Sequence, residues 1–250
     1  ILIGLVGSEM CIRDSLYTTD YNSMKTTDIK NVNLTNFMTQ DSIRVFEQWT
    51  KFYTVFSFDQ TFDAFSRFRT GEMPLVVQPY TFYNQLSVAA PEIKGLWDFT
   101  LVPGTKQADG TINHAVNSAG SGAVIFNKVS NQAAAWDFVK WFTSTDIQVD
   151  YGKQIEALMG PLGRFDTANV EALEQLPWST AEYEKISSQQ SYLKEVPIIP
   201  ASYAVTRHIN NAFRMVVNDA GNPRYTLMSY NDQIKSEIVR KYQELSSIKK

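Results

Sequence analysis

Cysteine is nearly absent from this chain: 250 residues hold a single one, Cys11. That excludes a disulfide framework and any Cys-ligated zinc site. Histidine is almost as scarce. His114 and His208 lie far apart and share no metal-ligand spacing. His208, beside Arg207 at an expected helix start, reads as solvated or capping, and His114 as a solvated loop residue. No apolar run reaches the roughly 18 residues that a membrane helix needs. Charge of one sign is missing too: 23 basic against 26 acidic side chains leave a net −3, with no basic cluster of the kind that binds nucleic acid. Also missing are the G-x-S-x-G nucleophile turn, the H-E-x-x-H zinc helix and the glycine-rich phosphate loops. These absences predict no catalytic residue, no metal and no cofactor.

Aromatic side chains are what the chain has in excess, at 13%, with 15 Phe, 12 Tyr and 5 Trp. Burying each ring stabilises a fold by roughly 1.5–3 kcal/mol, so most are expected in the core and a minority along a ligand cleft. Residues 5–15 read LVGSEMCIRDS and resemble a translated sequencing adapter. A secretory signal would need a basic start and a longer apolar core. Residues 1–15 are therefore expected to be foreign, which leaves the native part without cysteine.

The pattern further on predicts α/β architecture. Residues 39–56 place Ile43, Phe46, Trp49, Phe52 and Tyr53 on one helical face. A short helix carrying Phe62, Phe65 and Phe68 stops at Gly71, and PLVVQ (74–78) reads as a buried strand leading into a helix from Tyr80. Residues 97–102 alternate as a strand, followed by a loop with an Asp109-Gly110 turn. A Gly- and Ser-rich stretch turns apolar at 123–126 and reads as a further strand. Ser130 or Asn131 then caps a helix burying Ala134, Trp136, Phe138, Val139 and Phe142. Another helix runs from Thr145 to Gly160-Pro161. Two amphipathic helices, separated by Gly221-Asn222-Pro223, bury Val205, Ile209, Ala212, Phe213, Val216 and Val217, then Leu227, Ile234, Ile238 and Leu245. The glycines of 118–122 permit close backbone approach, either to a neighbouring strand or to a ligand.

Several segments carry a family resemblance. FRTGEMPLVVQPYTFYNQL (68–86), LWDFTLVPGT (96–105), GSGAVIFNKVSNQAAAWDFVKWFTSTDIQVDY (120–151), GPLGR (160–164) and SYAVTRHINNAFRMVVNDAGNPRYTL (202–227) resemble, in order and spacing, family 1 extracellular solute-binding proteins, the maltose-binding-like group. The resemblance implies a two-lobed periplasmic-binding-protein-like (type II) fold with a cleft between lobes. Residues 16–110 and 166–250 would belong to the C-terminal lobe, and 115–165 would return to an N-terminal lobe lying mostly upstream. That would leave the returning strand and helix without partners, and the fragment prone to aggregate.

The implied function is the substrate-binding component of an ABC importer. It would be extracytoplasmic, lipid-anchored and monomeric, delivering a sugar or oligosaccharide to permease subunits by hinge closure. Sugars offer apolar ring faces rimmed by hydroxyls, so a site for them combines stacking aromatics with fixed polar groups. The resemblance points to Tyr80 and Tyr83 as stacking residues, and to Tyr203 with Arg207 one turn on. Arg164, Gly120 and Gly122 would lie near the opposite wall, and Trp178, in a Leu-Pro-Trp loop, would cap the cleft. Trp49 and Trp136 read as structural. Rival readings are a carrier of another solute and a glycoside hydrolase-like enzyme using Asp98 or Asp166.

Overall fold

The computed structural model describes residues 34–107, 109–117, 122–194 and 199–248. Its helices, in chain order, are α1 (Gln40–Thr54), α2 (Ala64–Arg69), α3 (Thr81–Ala89), α4 (Gln132–Phe142), α5 (Thr145–Met159), α6 (Val170–Gln175), α7 (Thr180–Gln190), α8 (Ser202–Asp219) and α9 (Pro223–Ile248). Short strands β1 (Thr105–Lys106), β2 (Ile112–Asn113) and β3 (Val116–Asn117) add small sheets. The chain divides into two units, residues 63–193 and residues 1–62 with 194–250. The first 15 residues, with Cys11, lie outside the described residues, as does Gly120.

In the unit formed by both chain ends, α1, α8 and α9 build the core. The Thr39 hydroxyl accepts the Ser42 N–H at 3.2 Å, satisfying one free donor at the start of α1. From there, Ile43, Phe46, Trp49 and Thr50 recur at helical spacing and are buried. They meet Val205, Ala212 and Val216 of α8, and Leu227, Ile234 and Ile238 of α9. Trp49 stacks on Phe213 with ring centroids 4.4 Å apart. Two buried hydroxyls are satisfied: that of Thr50 donates to the Phe46 carbonyl at 3.1 Å, and that of Thr35 to Asn231 Oδ1 at 2.5 Å. Leu245, expected inside, is exposed. His208 is not at a helix start but in the second turn of α8, and it is buried. Position 208 lies four residues after Ala204 and four before Ala212, which puts it on the buried face of the helix.

The unit spanning 63–193 packs around Leu173, Leu176 and Ile186, with Tyr80, Phe99, Phe165, Trp178 and Tyr183 against them. Strands β1 and β2 pair antiparallel, Thr105 opposite Asn113, and the turn uses Gly110 at φ 86. Asp109 secures that turn by accepting from the N–H of Thr111 at 2.9 Å. The longer strands expected at 74–78, 97–102 and 123–126 do not form: no ladder is present there among the described residues. Each has the apolar content of a strand, but no neighbouring strand lies along it among the described residues. The backbone of Val102 is instead satisfied by side chains: its N–H donates to Gln189 Oε1 at 2.8 Å, and its carbonyl lies 2.7 Å from His114 Nδ1. His114 is thus tied in rather than freely solvated.

Exposure on α4 also departs from expectation. Asn131 Oδ1 caps it, accepting from the Ala134 N–H at 3.0 Å, but none of its residues is buried. Trp136 is 55% exposed, Val124 84% and Phe126 80%, and Phe138, Trp141 and Phe142 are exposed as well. Trp136 is therefore not a core residue here.

Candidate functional site

Tyr80 stands just before α3 and Tyr83 one turn later, a spacing that puts both rings on one face. They stack with centroids 5.6 Å apart. Trp178 meets both edge-on, at 5.0 Å from Tyr80 and 6.3 Å from Tyr83, and Phe99 and Trp97 lie edge-on to Tyr83, each at 5.5 Å. The Leu-Pro-Trp segment delivers Trp178: buried Leu176 anchors the loop after α6, and the Trp178 N–H donates back to the Leu176 carbonyl at 2.7 Å.

Arg164 reaches the same cluster from the other side of the sequence. Helix α5 ends at Gly160, with φ 62, and a 3-10 turn, Gly160–Gly163, reverses the chain. A Cβ on Gly163 would stand 2.6 Å from the Ile155 carbonyl oxygen, so only glycine lets the chain fold this tightly against α5. Arg164 is thereby aimed back along α5, its Nε donating to Glu156 Oε1 at 2.8 Å. Its Nη1 is 3.9 Å from Glu182 Oε2, and its Cζ lies 5.3 Å from the centre of the Trp178 ring. Buried Asn84 ties the parts together, accepting from the Tyr80 hydroxyl at 3.3 Å and donating to the Arg164 carbonyl at 2.5 Å.

Glu182 is held by a capping box at the start of α7, accepting from the N–H and hydroxyl of Ser179 at 2.9 and 2.8 Å, and also accepting from the Tyr83 hydroxyl. Burial works against its ionised form, but the bonds from Tyr83 and Ser179 and the charge of Arg164 prevail and hold it below the usual carboxylate range. Burial, and then the Glu182 carboxylate, push the Tyr83 hydroxyl up, while burial and the neighbouring Tyr83 do the same for Tyr80. Crowding around Asp166 raises its carboxyl, although much of the residue's surface is open to water. Two atoms in this neighbourhood, Trp178 Nε1 and Glu156 Oε2, are buried without a hydrogen-bond partner among the described residues.

Four expected residues therefore converge: Tyr80, Tyr83, Arg164 and Trp178. Arg164, expected on a wall opposite the tyrosines, lies with them. Gly122 has nothing within 4 Å of where a Cβ would stand, so no described strand approaches it. Tyr203 and Arg207 belong to the other unit, on one exposed face of α8, with the Arg207 Cζ 5.9 Å from the Tyr203 ring and the Lys241 ammonium 5.8 Å from it. Sequence reasoning missed Asn84, Glu156 and Glu182. Only Glu182 carried a readable signal, the Ser179-x-x-Glu182 capping pattern. Asp98 is held by Lys185 at 2.6 Å and kept ionised by that bond and by the Phe99 N–H.

Residues 12–177 match the family described as bacterial extracellular solute-binding protein. The chain belongs to that family. The match takes in Tyr80, Tyr83, Arg164 and the whole of α1 to α6, and it begins at Ile12, inside the segment expected to be foreign. No curated protein matches the chain. An extracellular solute-binding protein takes a small-molecule ligand outside the cytoplasm and works as a component of an ABC transporter. No helix among the described residues is long and apolar enough to cross a membrane. The helix-rich mixture with small sheets is compatible with a solute-binding fold.

Proposed function

We propose that this solute-binding protein captures a sugar or oligosaccharide and delivers it to the permease subunits of an ABC importer by closure of two lobes around the ligand. It would do so as a lipid-anchored monomer, without a cofactor and without chemical change to the ligand. The observation that carries this reading is the meeting of Tyr80, Tyr83 and Trp178 beside Arg164, Glu156 and Glu182. Aromatic faces beside fixed polar side chains suit a ligand with apolar ring faces and hydroxyl rims. The charge balance supports a neutral solute over an anionic one, because Arg164 already faces two carboxylates.

The test is a titration of intrinsic tryptophan fluorescence with a panel of neutral mono- and oligosaccharides, and with anionic and amino-acid solutes as controls. Saturable quenching by a saccharide, lost in Trp178→Phe and weakened at least tenfold in Tyr80→Ala, is expected. Saturation by a non-sugar alone would overturn the sugar assignment. Conversion of a glycan, abolished by Asp166→Asn, would overturn the binding-only role.

A further inference from the structure

Helix α8 buries a stripe at four-residue spacing: Ala204, His208, Ala212 and Val216. Three of these are apolar, and the fourth is a histidine 8% exposed. The alanines one turn to either side offer it no polar side chain. Neither Nδ1 nor Nε2 has a hydrogen-bond partner among the described residues. Its nearest ring is Tyr230 of α9, with centroids 5.9 Å apart. The other core wall, α1, presents Ser42, Ile43, Phe46, Trp49 and Thr50, none of which titrates.

We propose that His208 is an acid-sensitive latch in this unit: its place between α8 and α9 requires the neutral ring, and protonation loosens the helix pair. A neutral imidazole already leaves one donor and one acceptor unpaired there. The imidazolium adds a second unpaired donor and a buried charge, which is far more costly. The charges within reach do not rescue it. Arg207, next on the same helix, repels a second cation. Glu237 of α9 attracts it, but that carboxylate is already bound by Arg240 at 2.6 Å. Burial first, and Arg207 second, hold the ring below its ordinary value, with Glu237 opposing.

The direction of the effect follows. Above about pH 7 the ring is neutral folded and unfolded, and the stabilisation is fully present. As pH falls through about 6.5, the unfolded chain takes up its proton first and stability drops until the folded ring also protonates. Within that window the unfolding equilibrium shifts by at most about tenfold per pH unit. A protein that works outside the cytoplasm meets the pH of its surroundings directly, so such a latch responds to external acid.

Urea unfolding of the full chain, followed by helical circular dichroism from about pH 8 to 5.5, tests this in wild type and His208→Leu. The wild-type midpoint is expected to fall below neutrality, and the variant to lack about one proton's worth of that slope. Equal slopes overturn the proposal. Should the variant fail to fold, ring-proton NMR of His114→Gln isolates the remaining histidine of the two. A titration midpoint below about 6.5 supports the latch, and one at or above it overturns it.

Discussion

Arg164 lies across the face of Trp178, its Cζ 5.3 Å from the ring centre, while its Nε donates to Glu156 at 2.8 Å. One side of the guanidinium is thus apolar and one anionic, and the second carboxylate, Glu182, stands 3.9 Å from Nη1. The three charged side chains are each no more than 20% exposed, so water screens them only in part. Arg164→Ala leaves Glu156 and Glu182 without their cation, and is expected to destabilise the chain by about 1–3 kcal/mol. Arg164→Lys should recover little, because an ammonium cannot reach both carboxylates while lying flat on an indole. The urea midpoint of each variant checks this; a midpoint unchanged in Arg164→Ala would mean that solvent already screens the group.

Tyr83→Phe tests the other hydrogen bond that fixes this group. The phenol donates to Glu182 and helps keep its pKa low. A carboxylate depressed on folding contributes stability above its unfolded pKa, about 4.3, and loses it as pH falls through the folded value. With the phenol removed, the folded value rises toward the unfolded one. The variant should be less stable at neutral pH by about 1 kcal/mol and flatter between neutrality and acid. Melting temperatures taken across that range read both effects, and a parallel pair of curves would remove Tyr83 from the account of Glu182.

Local chemistry made much of this fold legible in the sequence. Asn131 caps its helix as its side-chain oxygen dictates, Gly71 and Gly110 take the positive φ of their turns, and Ile43, Phe46 and Trp49 are buried because their spacing places them on one face. The failures share a cause. Segments 74–78 and 123–126 have the apolar content of strands and α4 has an apolar face, but periodicity does not say whether a neighbour lies along them. His208 was misread because its polar ring outweighed its place, four residues before Ala212 on the buried face of α8. In the site, Tyr80, Tyr83 and Trp178 were visible as aromatics beside turns. Glu156 was not, because its role depends on a reversal at Gly163 that brings residue 164 back onto α5.

Tyr203 is half exposed and lies close to two cations, Arg207 and Lys241. If it contacts ligand as the family resemblance implies, Tyr203→Ala should raise the ligand dissociation constant about tenfold, the loss of roughly 1.4 kcal/mol of stacking. Little else should change, because an exposed ring contributes little to folding. Calorimetric titration with the saccharide found by fluorescence measures the first quantity, and a thermal melt the second. Unchanged affinity would leave Tyr203 as a surface residue shielding the stem of Lys241.

Phe46 and Trp136 are both aromatic residues on helical faces, yet one is fully buried and the other 55% exposed. Phe46→Ala opens a cavity between α1, α8 and α9, and should cost about 3–5 kcal/mol. Trp136→Gln should stay within about 0.5 kcal/mol, because more than half of the ring is already in water. Its effect should appear in association instead. Trp136, Phe138, Trp141 and Phe142 of α4 and nearby Val124 and Phe126 expose apolar surface of the kind that drives self-association. The pair Trp136→Gln with Trp141→Gln should therefore lower light scattering at equal concentration while leaving the melting temperature in place. A large fall in melting temperature would show that this face is covered in solution, and that α4 is held by contacts beyond those of the described residues.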